Sequence, residues 1–454
     1  YTFMHLKALI ISLFTLLFIS HQIRSQEMPD DPKMYDIIES VSSSRLETDI
    51  RKLAGFGTRH TMSDTVSSSR GIGAARRWIK SEFEKISKEC GGCLEVYEQR
   101  TLVEADPETR IYEDTYVVNV YAIQRGIETP NRYAIMSGDI DSRASDVKNY
   151  TIDAPGANDN ATGMAGAIEA ARVLSKYEFK SSIVYAGLSG EEQGLYGGKH
   201  LAEKAKEEEW EIIGILNNDM IGNIEGVDGV IDNRSFRIFS EPYNSLSSER
   251  SLMLKRFYGG ENDGESRQLA RYVYQATKAY MPEMNPILIY RLDRFGRGGH
   301  HRPFNEAGFA GVRIMEAHEN YNRQHQDIRT ENGVEYGDVI EGVNFDYCRK
   351  MTAVNSITLA AMASGPASPV EVKVGGIVQP SAKLSWTKVK GAIGYKIYWR
   401  DTTSPVWQYS RYVGNVNAHT LEGIVIDNYL FGVASVGDDG FESVITYPSG
   451  VIRD

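Results

Sequence analysis

The chain has 454 residues, of which 41% are hydrophobic and 24% charged, with a formal net charge of -11. That composition belongs to ordinary globular protein, allows more than one folded unit, and excludes disorder as the dominant state. The acidic balance argues against nucleic acid or an anionic membrane as partner, because both attract basic surfaces.

The predicted elements begin with an export segment. Met4-His5-Leu6-Lys7 leads into an apolar run from Ala8 to Ile19 interrupted by Ser12 and Thr15. A spanning helix needs about 20 apolar residues, so this run is too short to cross a membrane. A basic start, a short apolar middle and a small residue near Ser25 predict a signal peptide over 1–25. The mature protein is then expected in the periplasm or outside the cell, with no stable membrane anchor after cleavage.

Apolar residues recur at helical steps from Met34 to Phe56 and from Gly71 to Ile86, predicting amphipathic helices. The pair in Cys90-Gly91-Gly92-Cys93 has no second pair beside it, which rules out a four-cysteine zinc site. A small disulfide loop at a helix-to-strand turn is expected, with Cys348 a buried thiol. Strand-like segments come next at Leu94 to Tyr97, Tyr116 to Tyr121 and Tyr133 to Met136, then a helix from Thr162 to Leu174 and a strand from Ser182 to Leu188. Further on come a helix from Tyr196 to Ala205, the run Ile212-Ile213-Gly214-Ile215-Leu216, and a helix from Ser266 to Tyr280 before Ile287 to Tyr290. This alternation predicts an α/β fold of three layers, helix, sheet, helix, with a mostly parallel central sheet over 26–362. A Pro- and Ser-bearing stretch at 363–369 should behave as a linker. Beyond it, the period of two in Leu384 and Trp386, Tyr395, Ile397 and Trp399, and Tyr429, Phe431 and Val433 predicts a small all-β sandwich over 370–454. Leu384-Ser385-Trp386, Tyr395-Lys396-Ile397-Tyr398-Trp399 and Tyr429-Leu430-Phe431-Gly432-Val433-Ala434 resemble a fibronectin type III domain.

Three acidic motifs carry the chemistry: Asn158-Asp159-Asn160, Gly190-Glu191-Glu192 and Asn218-Asp219-Met220. The last two close apolar strands, and groups at successive strand ends in an open α/β sheet converge on one crevice. Converging carboxylates repel unless a cation sits among them. With His325 they form a set suited to hydrolysis by two metals held about 3.5–4 Å apart. Adjacent Glu191 and Glu192 can divide the work, one binding metal while the other moves a proton. No Gly-x-Ser-x-Gly elbow and no phosphate-binding glycine loop offers another chemistry.

Asp159 within Gly156-Ala157-Asn158-Asp159-Asn160-Ala161-Thr162-Gly163, the run Gly190-Glu191-Glu192-Gln193-Gly194-Leu195, and Asn218-Asp219-Met220-Ile221-Gly222 look like the zinc exopeptidase family of the bacterial leucyl aminopeptidases. Glutamate carboxypeptidases and glutaminyl cyclases are its relatives. The resemblance implies Asp159 bridging two divalent ions, Glu192, Asp219 and His325 as further ligands, and Glu191 as general base and acid. It implies peptide substrates and an exported aminopeptidase, with carboxypeptidase or cyclase action, or loss of activity with retained peptide binding, as the alternatives. Two departures stand out. Asp139, in Ser137-Gly138-Asp139-Ile140-Asp141, takes the place of the family's first histidine ligand; it is expected to bind metal, with Asp141 holding Asp139 or an ordered water in place. The added charge would shift preference from zinc toward harder ions such as manganese. In Gly299-His300-His301-Arg302, His300 stands where the family has Asp; His300 and His301 are expected on the substrate side or behind the ligands, as two independent substitutions rather than an exchange with Asp139. The wall of the pocket is expected within 223–300, including Arg291, Arg294 and Arg297.

Overall fold

The computed structural model describes residues 28–452; the expected signal peptide lies outside them. An eight-stranded sheet has the spatial order β1-β2-β4-β3-β5-β8-β6-β7. Its strands are β1 (Leu94–Val103), β2 (Thr115–Gln124), β3 (Thr129–Asp139), β4 (Ser181–Leu188), β5 (Glu211–Asn218), β6 (Ser235–Ser240), β7 (Asn285–Ile289) and β8 (Gly311–Glu316). The centre, β4-β3-β5-β8, is parallel, and β1, β2 and β6 join antiparallel to their inner neighbours.

Alternation along the central strands sorts their side chains onto two faces. Ala134 and Met136 of β3, with Ile183 and Tyr185 of β4, join the core beneath helices Gly71–Glu89, Gly163–Leu174 and Phe345–Ser364. Tyr133 and Ile135, with Val184, Ala186 and Leu188, face the opposite core beside Leu201 and Phe304, residues of helices Tyr196–Glu207 and His301–Glu306. Burial on both faces explains why these strands read as continuous apolar runs. Each fully buried aliphatic side chain contributes about 1.5–3 kcal/mol.

Helix starts are set by side-chain caps. Asp31 accepts from Lys33 N before helix Pro32–Ser40, Ser42 from Arg45 N before helix Ser43–Ala54, and Asn344 from Tyr347 N before helix Phe345–Ser364. The stretch from Met34 to Phe56 is therefore two helices, broken at Val41 and Ser42. Cys90 and Cys93 form a disulfide between helix Gly71–Glu89 and β1, and Cys348 is free and buried.

The last helix runs through Ser364, two residues into the expected linker, and the remainder of that linker is held rather than loose. Arg132 donates to the carbonyls of Gly365 and Pro366, Ser435 Oγ to that of Ala367, and Thr446 Oγ1 to that of Pro369. A four-stranded and a three-stranded sheet then enclose Leu384, Trp386, Tyr395, Ile397, Trp399, Phe431 and Val433. This β-unit is tied to the rest by buried Asp263, whose carboxylate receives Arg271 at 2.6 Å and Arg400 at 2.7 Å, and by Trp407, whose indole donates to Gln268.

Candidate metal centre and active site

The crevice lies where β3, β4 and β5 end, and glycine lets the backbone close up there. A Cβ at Gly138 would sit 2.3 Å from the carbonyl carbon of Gly163, and one at Gly163 would sit 2.4 Å from Asn218 O. Substitution at either would push the ends of β3 and β5 away from the loop Ala157–Thr162. Asp338 fixes that loop by receiving the amides of Asn158 at 2.8 Å and Asp159 at 2.6 Å. Asn158 reaches buried Glu316, at the end of β8, at 3.0 and 3.1 Å, and accepts from Gly222 N. Asn160 donates to Asp139 Oδ2 at 2.6 Å and to Asn218 O at 2.7 Å. Asn160, within the first motif, is a positioning residue, and so are Asp338 and Glu316, which the acidic motifs did not reveal.

Asp159, Glu192 and His325 converge, with one ligand atom from each all lying within 4.8 Å of one another. His325 Nε2 is 2.8 Å from Glu192 Oε1 and 3.0 Å from Asp159 Oδ2, and its backbone sits at φ +53°, a left-handed conformation uncommon for a non-glycine residue. Burial opposes charge on this imidazole, yet Glu192 and Asp159 outweigh it and raise its pKa to about 9. Burial likewise works to raise Asp159, but the hydrogen bond and charge of His325 hold its carboxyl below the ordinary carboxylate range. Two carboxylates and an imidazole drawn this tightly around a shared proton form a donor set that suits zinc once the proton leaves. Among the described residues, Asp139 and Asp219 fall outside this group.

Their settings differ from the expectation. Asp219 Oδ2 lies 2.6 Å from Nη2 of Arg313, a fully buried residue of β8 whose Nη1 is 3.2 Å from both oxygens of Asp293. Asp139 Oδ1 faces His300 Nε2 at 3.6 Å, so the two positions that depart from the family pattern meet across the crevice. Burial brings His300 down to about 3, leaving a neutral ring, while burial and Asp219 push the Asp139 carboxyl well above its ordinary value. Asp141 does not hold Asp139; its two oxygens receive the amides of Glu191 at 3.2 Å and Glu192 at 3.0 Å, fixing the turn that presents both glutamates. His301 is fully buried, with Nε2 2.9 Å from Leu292 O and 3.7 Å from Asp293, and so supports the wall instead of meeting substrate.

Glu191 projects among these acids. Burial first, then the charges of Glu192, Asp219 and Asp139, raise its carboxyl well above the ordinary range, with Arg313 opposing them. Such a group is a stronger base than a free carboxylate and is placed to take and return a proton.

The crevice opens into a cavity of about 610 Å³. Asp159, Glu191, Glu192 and Asp219 line its depth, while exposed Arg110, Lys199, Arg297 and Arg302, with half-buried Arg143 and Arg294, also line it. Arg294 and Arg297 come from the expected wall; Arg291 stacks on Phe295 and does not reach the cavity.

A parallel sheet with acids and a histidine gathered at its strand ends defines a metal-dependent hydrolase crevice. Residues 119–339 match Peptidase family M28. A probable zinc metalloprotease of Pyrenophora teres f. teres is 41% identical over 426 residues, covering 92% of this chain and 87% of that protein. Another from Pyrenophora tritici-repentis is 37% identical over 434 residues, covering 94% of this chain and all of that one (100%). The chain belongs to Peptidase family M28 and is a zinc metallopeptidase. The LapA aminopeptidase of Legionella pneumophila, at 16% identity, superimposes with a TM-score of 0.53 over 75% of this chain and 77% of that one. A glutaminyl cyclase of Macrostomum lignano, also 16% identical, gives 0.51 over 74% and 94%. At such identity these two show the shared fold.

Proposed function

We propose that this protein is an exported aminopeptidase that removes N-terminal residues from short peptides. The observation that carries the reading is the polarity of the cavity lining: the carboxylates of Asp159, Glu192 and Asp219 are buried, while Arg110, Lys199 and Arg297 are exposed and exposed Arg302 is paired with Glu306. A short peptide has the complementary polarity, ammonium at one end and carboxylate at the other, so charge favours entry amine first.

Asp159, Glu192 and His325 would hold zinc. The ion supplies a Lewis acid and lowers the pKa of a water to about 7. Asp141 orients both glutamates through their amides, Glu192 toward His325 and Glu191 toward the scissile bond. Glu191 takes the proton of the attacking water and delivers it to the departing amine. Arg143, 3.5 Å from Glu192, and the other cavity cations hold the far carboxylate of a short substrate.

The cationic mouth also supports a second reading, in which the substrate's C-terminal carboxylate is the recognised end and the enzyme is a carboxypeptidase. The experiment compares free-carboxylate dipeptides, their C-terminal amides, N-acetylated peptides and N-terminal glutaminyl peptides. The first reading expects turnover of dipeptides and amides and none of N-acetyl peptides. Cleavage of N-acetyl peptides but not of amides would overturn it in favour of the second reading, and release of ammonia from glutaminyl peptides would mean cyclisation.

A further inference from the structure

We infer that this chain binds a single metal ion, at Asp159, Glu192 and His325, and that the Arg313 guanidinium supplies the second positive charge of the crevice. The inference rests on the zinc peptidase reading but not on which peptide end is cut. It replaces the expectation of two ions and is argued from three residues, Asp139, His300 and Arg313.

Each acid left over once the trio is gathered has one oxygen engaged within the chain, Asp139 Oδ2 and Asp219 Oδ2, while its Oδ1 is buried without a hydrogen bond. Asp219 Oδ2 is 2.6 Å from Arg313 Nη2. Asp139 Oδ2 accepts from Asn160 Nδ2, while its Oδ1 is turned toward His300 Nε2, and neither of those facing atoms has a hydrogen-bond partner. A second ion drawing on Asp139, Asp159 and Asp219 would have to settle beside a buried guanidinium that cannot lose its proton. It would also have to separate Asp219 from Arg313, leaving a fully buried cation short of a counterion, which is costly.

Arg313 is built into place. It stands on β8 in register with Asn217 of β5, one strand from Asp219. Its Nη1 is held by Asp293 and by Gly298 O at 3.0 Å. A Cβ at Gly299 would lie 3.3 Å from that same nitrogen, so the glycine leaves the room the guanidinium occupies. The charges that act on Arg313 are those of Asp219, Asp293, Glu191 and Asp159, which places it among the same acids a second ion would serve. Fully buried behind the cavity lining, it acts on the crevice through Asp219, whose charge it offsets.

The test is a metal count on the purified full chain, dialysed against metal-free buffer, by plasma mass spectrometry with quantitative amino-acid analysis. One zinc per chain is expected, and manganese added in excess should give an uncoupled paramagnetic resonance spectrum. Two retained ions, or a spin-coupled manganese pair, would overturn the inference while leaving peptidase activity untouched. The double variant Asp139→His with Arg313→Met should gain a second ion; a count that stays at one overturns the assignment of Arg313. Should that variant not fold, the count on the native chain still decides. A chain retaining no zinc would remove both this inference and the function proposed above.

Discussion

The crevice and the junction with the C-terminal β-unit both bury carboxylates, and they treat them in opposite ways. At the junction, Asp263 is surrounded by Arg271, Arg400 and Gln268, so its charge is met entirely from within the chain. In the crevice, Asp159 and Glu192 share one imidazole, and the charges of Glu192, Asp219 and Asp139 act on Glu191 against that of Arg313. Where folding supplies every countercharge, the acid is structural; where it leaves a shortfall, the site asks for a ligand.

That contrast can be broken by substitution. Glu191→Gln keeps shape and removes the base, so kcat should fall about 10²–10⁴-fold with zinc content unchanged. Equal loss of zinc would make Glu191 a ligand and end its role as proton carrier. Asp263→Asn should do the reverse, lowering stability by about 3–5 kcal/mol in urea unfolding without altering the rate per folded molecule. A change in rate with stability intact would erase the distinction between the two regions.

Proton competition sharpens the comparison further. Because His325 is raised to about 9, zinc must displace its proton at neutral pH. Zinc affinity measured by chelator competition should therefore weaken roughly tenfold for each unit the pH drops below that value. Without metal the sign inverts: the raised pKa stabilises the fold below about 6.5, and that contribution is lost as pH rises through about 9. The smallest effect belongs to the mouth. Arg297→Gln removes an exposed charge worth about 0.2–1 kcal/mol, so kcat/KM for free dipeptides should fall several-fold at most, and not at all for their amides.

Much of this architecture could be read from the residues. The apolar runs of β4 and β5 marked a two-sided core, and the period of two after residue 370 marked separate β-sheets. The motifs also converge in space, because Asp159, Glu191, Glu192 and Asp219 all line one cavity. What spacing could not supply was pairing. Arg313 sits in Gly311-Val312-Arg313-Ile314-Met315, where a lone cation in a buried strand was the available signal that some acid must face it. Asp141 was assigned to Asp139 from proximity in sequence, yet the sharp turn after β4 brings the glutamate amides to it first. The stretch at 363–369 looked loose by composition, and its carbonyls are bound by residues distant in sequence that composition cannot register.

Arg132 opens the same strand that ends at Asp139, and its guanidinium grips Gly365 and Pro366 where the two parts of the chain meet. The β-unit is thus no detachable module. A protein cut short after Ser364 would retain every active-site side chain and still lose the clamp at the root of its central strand.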